Sequence, residues 1–372
     1  MVATEENNKL MEEEIEEEIE EPNLKYDPEK INIVTREPTI EQLLRRIDEQ
    51  AFDLAPDFQR QADIWKDDVK SRLIESILIR IPLPAFYVDA TNEDKWLVVD
   101  GLQRLSALKH FINDKDKNRL KLEGLEYLTE LEGKTYDELE RRYQRRIEET
   151  QVTVYLIEKG TPTQVKYNIF KRINTGGERL LPQEIRHALN PGKATKFIGE
   201  LANIPEFKKV VQLSDSKIKR MDDREFTLGF LAFKITDYKQ YINDERDTFL
   251  SDALSKANEL SEENLEEIKS DFQKAMIAAF EIFGENAFRK IYFKNPRKYP
   301  LNKALFEACS VNLSNLSDEE IEVLKIRKQK LIDIFTNYLD KDRKFLQSVS
   351  QAASKVSYRF ETIEKIIKEV LS

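Results

Sequence analysis

Apolar positions recur along the chain with two different periods, and the change from one to the other divides it. Thr39-Ile40-Glu41-Gln42 has the form of a capping box, in which the first and fourth side chains satisfy each other's backbone N–H groups. It predicts a helix to about Gln50. Val69, Leu73, Ile74, Ile77 and Leu78 share one face of a second helix, which Pro82 and Pro84 end. Ala85–Asp89 and Trp96–Val99 are short β-branched or aromatic runs around a polar stretch and predict a strand pair. Asp100-Gly101 closes the second strand, and Leu102, Leu105, Leu108, Phe111 and Ile112 form the apolar stripe of the helix that follows. Gln151–Ile157 is one more strand. Beyond it the helical period takes over. Thr161-Pro162-Thr163-Gln164 caps a helix to about Ile173, Asn174-Thr175-Gly176-Gly177 stops it, and Pro182 opens the next. Further helices are predicted at about 196–203, 222–240, 246–260, 262–283, 303–311, 317–341 and 343–371. The expected architecture is an α+β core over residues 31–192 and an all-helical domain over 193–372.

Composition changes this picture at the N-terminus. The 372 residues carry a formal charge of −10, but residues 1–30 alone hold 12 acids and 3 bases. They are expected to form a mobile acidic tail, and the remaining body is close to neutral, so net charge does not argue against a nucleic-acid partner. Two histidines and one cysteine, Cys309, are too few for the usual structural zinc sites or for a disulfide. A reducing, cytoplasmic setting is expected. No apolar run approaches the roughly 18 residues of a membrane span, so no membrane partner is expected. Neither G-x-x-x-x-G-K-[ST] nor G-x-G-x-x-G occurs, which removes the two common glycine-loop phosphate cradles.

Three segments place polar, shape-restricted residues at element ends, where sites are usually built. In Phe58-Gln59-Arg60 an arginine beside aromatics suits anions and base stacking, or is simply a surface arginine packed on a ring. At Asp100-Gly101-Leu102-Gln103-Arg104 a strand runs into a helix whose first N–H groups and positive dipole end suit a phosphate. There Gln103 and Arg104 are further donors, and Asp100 is able to hold Mg²⁺ or orient a water. An ordinary turn with Asp100 as cap reads equally well. At Lys171-Arg172-Ile173-Asn174-Thr175-Gly176-Gly177 a basic helix end meets a loop suited to closing over an anion, or to a plain glycine helix cap. Glu75 lies off the apolar face of its helix and reads as a metal or base carboxylate or as a solvated charge. The basic clusters at 141–146, 217–220 and 325–330 read as solvated helix faces.

Together these segments resemble a known family. PDFQRQADIW, KSRLIESILIRIPLPAFYV, WLVVDGLQRLSALKHF and FKRINTGGERLLPQEIRHAL, in that order, are similar to the N-terminal domain of GmrSD-type modification-dependent restriction systems, with its ParB/sulfiredoxin-like core. RMDDREFTLGFLAF, FLSDAL and LNKALFEA resemble the same family's helical part. The resemblance is dense from about Tyr26 to Phe233 and patchier to about Ser310.

The resemblance implies an α+β core that binds and hydrolyses an NTP with Mg²⁺ and takes part in sensing modified DNA. The family's Asp-Gly-Gln-Gln-Arg motif maps onto Asp100, Gly101, Gln103 and Arg104, with Leu102 in place of the first glutamine. Phe58, Gln59 and Arg60 match one phosphate-binding segment, and Arg172, Asn174, Thr175, Gly176 and Gly177 another. Fused members carry a His-Asn-His nuclease, which needs at least two histidines, and no histidine follows His187 here. Cleavage is therefore expected from a separate nuclease subunit, and self-association is open. Two alternatives stand beside this reading: a non-catalytic nucleotide- or DNA-binding module, and a ParB-like nuclease acting alone through Asp100, Glu75 and the arginines.

Overall fold

The computed structural model describes residues 31–53, 65–92, 94–113, 119–173, 181–190, 192–241, 246–293, 297–350 and 355–372. The acidic segment 1–30 lies outside them. The chain divides into two units between residues 180 and 181.

The N-terminal unit runs β1 (Ile33–Arg36), α1 (Ile40–Asp48), β2 (Phe52–Asp53), α2 (Asp67–Leu78), β3 (Phe86–Asp89), β4 (Trp96–Asp100), α3 (Leu102–Ile112), α4 (Arg141–Glu148), β5 (Val154–Ile157) and α5 (Thr163–Ile173). The expected capping box opens α1: Gln42 N–H donates to Thr39 Oγ1 at 3.3 Å, and Thr39 N–H donates to Gln42 Oε1 at 3.0 Å. The strands form one sheet in the order β1-β5-β3-β4-β2. It is mixed: β1 with β5 and β3 with β4 are antiparallel, β5 with β3 and β4 with β2 parallel. The middle three strands are the ones predicted. Of the two edge strands, β2 is two residues long and β1 is mostly exposed with no buried alternating face, so only pairing with a neighbour defines them. Phe86, Val88, Val98, Val154 and Leu156 point from the sheet into a core completed by Ile40, Leu44, Ile74, Ile77, Leu108 and Phe111.

The second unit is helical, as expected: α6 (Pro182–Leu189), α7 (Lys193–Asn203), α8 (Pro205–Val211), α9 (Asp215–Lys219), α10 (Asp222–Ile235), α11 (Arg246–Glu259), α12 (Glu262–Phe283), α13 (Lys303–Ser314), α14 (Asp318–Ile326), α15 (Lys328–Lys341), α16 (Arg343–Ser348) and α17 (Val356–Leu371). Phe207, Phe226, Phe230, Phe272 and Phe306 meet at the centre of its core. Three predicted boundaries change. The span 222–240 stops at Ile235, where Thr236 turns extended and Asp237 caps a 3₁₀ turn. The span 317–341 breaks at Arg327, whose guanidinium donates at 2.6 Å to the Val370 carbonyl and so caps the last turn of α17. The span 343–371 is two helices, α17 starting after Lys355 in the left-handed conformation. No described helix is long and apolar enough to cross a membrane.

Candidate functional site

The best-formed candidate is the turn from β4 into α3. Val98 pairs with Val88, but the register shifts on the next step and Asp100 pairs with Tyr87. β4 thus holds one residue more than β3, an irregularity that re-aims the strand end. Gly101 follows at φ +99°, and a Cβ there would lie 2.3 Å from Phe86 Cδ1, so both backbone and space demand glycine. Leu105 N–H donates to the Gly101 carbonyl at 2.9 Å, the first bond of α3. The N–H groups of Leu102, Gln103 and Arg104 precede it, as in any first helical turn. Asp100 stands at this positive helix end.

Arg104 is built into the turn. Its Nη2 donates to Asp100 Oδ2 at 2.8 Å and to the Ala85 carbonyl at 3.2 Å, its Nη1 donates to the Pro84 carbonyl, and its guanidinium lies 4.5 Å over the Phe86 ring. The residue is 8% exposed. Expected as a phosphate donor, it orients Asp100 and ties the Pro84–Phe86 segment to the start of α3. Burial pushes the Asp100 carboxyl above its usual range, and the Arg104 charge and the Gly101 N–H only partly offset this. Gln103 is half-buried in the same turn, and Leu102 packs against the apolar core.

Two neighbours are invisible in the sequence pattern. Tyr87 and Tyr155 stack across β3 and β5 with ring centroids 4.9 Å apart, and burial, Tyr155 and the Asp100 charge together raise the Tyr87 hydroxyl pKa. At the far end of β3, Lys166 Nζ donates to Asp89 Oδ2 at 2.8 Å and to the Thr91 hydroxyl, while Thr91 N–H donates to Asp89 Oδ1 at 2.9 Å. Both sets sit within ordinary strand and helix patterns: pairing of β3 with β5 brings the tyrosines together, and the approach of α5 brings Lys166 to Asp89.

Residues 40–190 match the family model described as GmrSD restriction endonuclease, N-terminal domain. This chain carries a GmrSD-type N-terminal domain. The match takes in the whole Asp100 turn, Glu75 and Arg172, and runs on through α6. No curated protein and no solved structure matches the chain.

Elsewhere in the GmrSD-type domain the expected site residues fare differently. Arg172 is exposed in the last turn of α5. Phe58, Gln59 and Arg60, and Asn174, Thr175, Gly176 and Gly177, lie outside the described residues. Glu75 is buried, where a solvated charge was one expectation. Its Oε1 accepts the N–H groups of Tyr127 (2.7 Å) and Leu128 (2.8 Å), and its Oε2 accepts that of Glu126 (3.0 Å). It clamps a loop onto α2. Among the described residues no three His, Cys, Asp or Glu side chains gather as a metal cluster. Cys309 is buried in the helical unit, and burial pushes its thiol up to about 12, so it is no nucleophile.

Burial pushes the Glu75 carboxyl up, but the three N–H bonds and the Arg72 charge outweigh it and hold the pKa below the ordinary 4.5. A lowered folded-state value stabilises the fold above the unfolded pKa, and that stability is lost as pH falls through the folded value. Glu75→Gln leaves only one side-chain acceptor oxygen for three donors. It is expected to cost about 1–3 kcal/mol at neutral pH and to flatten the acid limb of a stability-against-pH curve, measured by urea unfolding. An unchanged acid limb would remove Glu75 from this role.

Proposed function

We propose that the chain is a nucleotide-binding, NTP-hydrolysing sensor of a DNA-modification-dependent restriction or anti-phage system, with DNA cleavage done by a separate nuclease subunit. The observation that carries this reading is the Asp100 turn: a carboxylate with raised pKa, fixed by a buried arginine at a helix N-terminus, inside a domain of a restriction family. The first-turn N–H groups of α3 suit the phosphates of a nucleoside triphosphate. The family resemblance also assigns Arg60 and Arg172 to phosphate binding; Arg60 lies outside the described residues.

In the hydrolytic step a water attacks the γ-phosphorus and the bond to the β–γ bridging oxygen breaks. Asp100, whose raised pKa favours accepting a proton, takes the proton of that water, and Gln103 orients the water or the γ-phosphate. Arg104 is a positioning residue that keeps Asp100 in place. Mg²⁺ is commonly held by one or two carboxylates together with nucleotide phosphates; Asp100 is the residue that would hold it, in which case its carboxylate would position the attacking water and not take its proton, and the ion would neutralise phosphate charge. Glu75 does not fit, because both its oxygens already accept N–H groups. Catalysis of this kind is positional and electrostatic.

A second reading, a nucleotide-gated module that binds without turnover, draws on two features of the same turn. Arg104 donates inward to backbone carbonyls, and Leu102 occupies a glutamine position of the family motif and packs into the core. Phosphate release measured with all four NTPs, with and without modified DNA, separates the two. Hydrolysis by the wild type, reduced at least about 100-fold in Asp100→Ala and retained in Leu102→Gln, is expected. Tight nucleotide binding with no phosphate release under any of these conditions would favour the gated module.

A further inference from the structure

In the basic runs conspicuous in the sequence some cations are tied to acids: Arg141 to Glu148 at 3.2 Å, Arg220 to Glu184 at 3.1 Å, and Lys325 to both Glu281 and Glu322 at 2.6 Å. Others donate to carbonyls, as Arg146 does to Leu78 and Lys330 to Glu369. At the junction of α15 and α16 three cations gather at one depression. Asn337, Tyr338, Lys341, Asp342, Arg343 and Lys344 line a cavity of ≈ 540 Å³ there. Lys341, Arg343 and Lys344 are not buried, and among the described residues none of the three makes an ion pair.

Asp342, the one acid in the lining, is turned inward. Its carboxylate accepts the N–H groups of Lys344 (2.9 Å) and Phe345 (3.0 Å) and the hydroxyl of Tyr358 (2.6 Å). Burial pushes its pKa up, but these three bonds and the Lys344 charge outweigh it, so Asp342 stays ionised and committed. Two aromatic rings carry the neighbouring cations: Lys344 Nζ lies 4.1 Å from the Tyr358 ring centre, and Lys365 Nζ 5.7 Å from that of Tyr338. Cations beside tyrosines on an open, shallow depression are the elements of a surface that tracks a nucleic-acid backbone.

We infer that this cleft binds backbone phosphates of DNA, giving the helical unit a DNA contact of its own, separate from the Asp100 turn. The inference rests on the DNA-sensing part of the proposed function but not on nucleotide hydrolysis, and residues 337–344 lie outside the family match.

The test is fluorescence anisotropy of the full chain with a short labelled duplex across a salt series. It compares wild type, the triple variant Lys341→Glu/Arg343→Glu/Lys344→Glu, and the charge-keeping Lys341→Arg/Arg343→Lys/Lys344→Arg. The glutamate variant is expected to bind at least 10-fold more weakly at low salt. Its slope of log affinity against log salt should be shallower by about 2–3, at ~0.9 for each phosphate that the variant no longer neutralises. The charge-keeping variant should bind as the wild type does, and all three should unfold at the same urea concentration. If the wild type binds DNA and the glutamate variant binds it equally well, the cleft is not the contact and the DNA-sensing reading stands. If the wild type binds no DNA at any salt, both fall, and nucleotide binding at Asp100 is untouched. Displacement of the DNA by low-millimolar inorganic phosphate would overturn a backbone contact in favour of a small-anion site.

Discussion

Glu307→Ala is expected to destabilise the helical unit by about 3–5 kcal/mol, the usual cost of removing one partner from a buried ion pair. Glu307 is 1% exposed in the middle of α13, and its carboxylate serves two buried arginines, Arg246 at 2.6 Å and Arg359 at 3.0 Å. Removing it takes the shared carboxylate from two guanidinium groups that cannot give up their charge. Glycine at position 229 of α10 belongs to the same arrangement, because a Cβ there would lie 2.6 Å from Glu307 Oε1. An equivalent set ties α6 to α10, α11 and α13. Arg186 meets Glu225 at 3.3 Å and Asp247 at 2.5 Å, and Lys303 meets Glu225 at 2.8 Å. Both tryptophans, Trp65 and Trp96, lie in the N-terminal unit, so their fluorescence follows that unit while far-ultraviolet circular dichroism is dominated by the helices. The loss is expected in the dichroism transition under urea. A shift below about 1 kcal/mol, the worth of an exposed pair, would show that Glu307 does not hold these helices together.

Gly101→Ala is expected to have the second largest effect, on both stability and ligand binding. A non-glycine residue in the left-handed region costs about 1–2 kcal/mol, and forcing a methyl against Phe86 adds about 1–3 kcal/mol of overpacking. The clash falls on the ring over which the Arg104 guanidinium sits, so the substitution displaces the arginine that fixes Asp100. The tryptophan fluorescence transition should shift to lower urea, and nucleotide affinity should be lost even in the folded protein. Stability within about 1 kcal/mol of the wild type, less than the left-handed backbone alone should cost, with nucleotide affinity intact, would mean that the turn relaxes without moving Asp100.

Much of the frame is legible in the sequence because its signals are local. The capping box at Thr39, the helix stripes and the β-branched runs of β3, β4 and β5 each depend on residues within one element. The edge strands are not legible: β2 has only two residues, and β1, as long as β3 and β5, is mostly exposed and buries no alternating face. The break at Arg327 is not either, since it comes from a side chain capping a helix end 43 residues away. At the candidate site the Asp-Gly turn is visible in sequence, but the inward course of Arg104 is not: its acceptors are two carbonyls 20 and 19 residues upstream. Glu75 shows the same limit from the other side. Its place off the apolar stripe suggests solvent, yet the loop at 126–128 folds over it and supplies three donors. The cleft at 337–344 reads as helix surface, because its character depends on which cations find acids and which do not.

The central claim is that the Asp100 turn binds a nucleoside triphosphate. Its most direct test is calorimetric titration of the full chain with each NTP in the presence of Mg²⁺, comparing wild type with Asp100→Asn, which keeps the shape of the side chain and removes its charge. The expected result is saturable binding by the wild type, weakened at least 10-fold in the variant (about 1.4 kcal/mol) under conditions where tryptophan fluorescence shows the variant folded, its unfolding transition lying at lower urea because Arg104 loses its charged partner. No binding by the wild type, or equal affinity in both proteins with the fold intact, would contradict it.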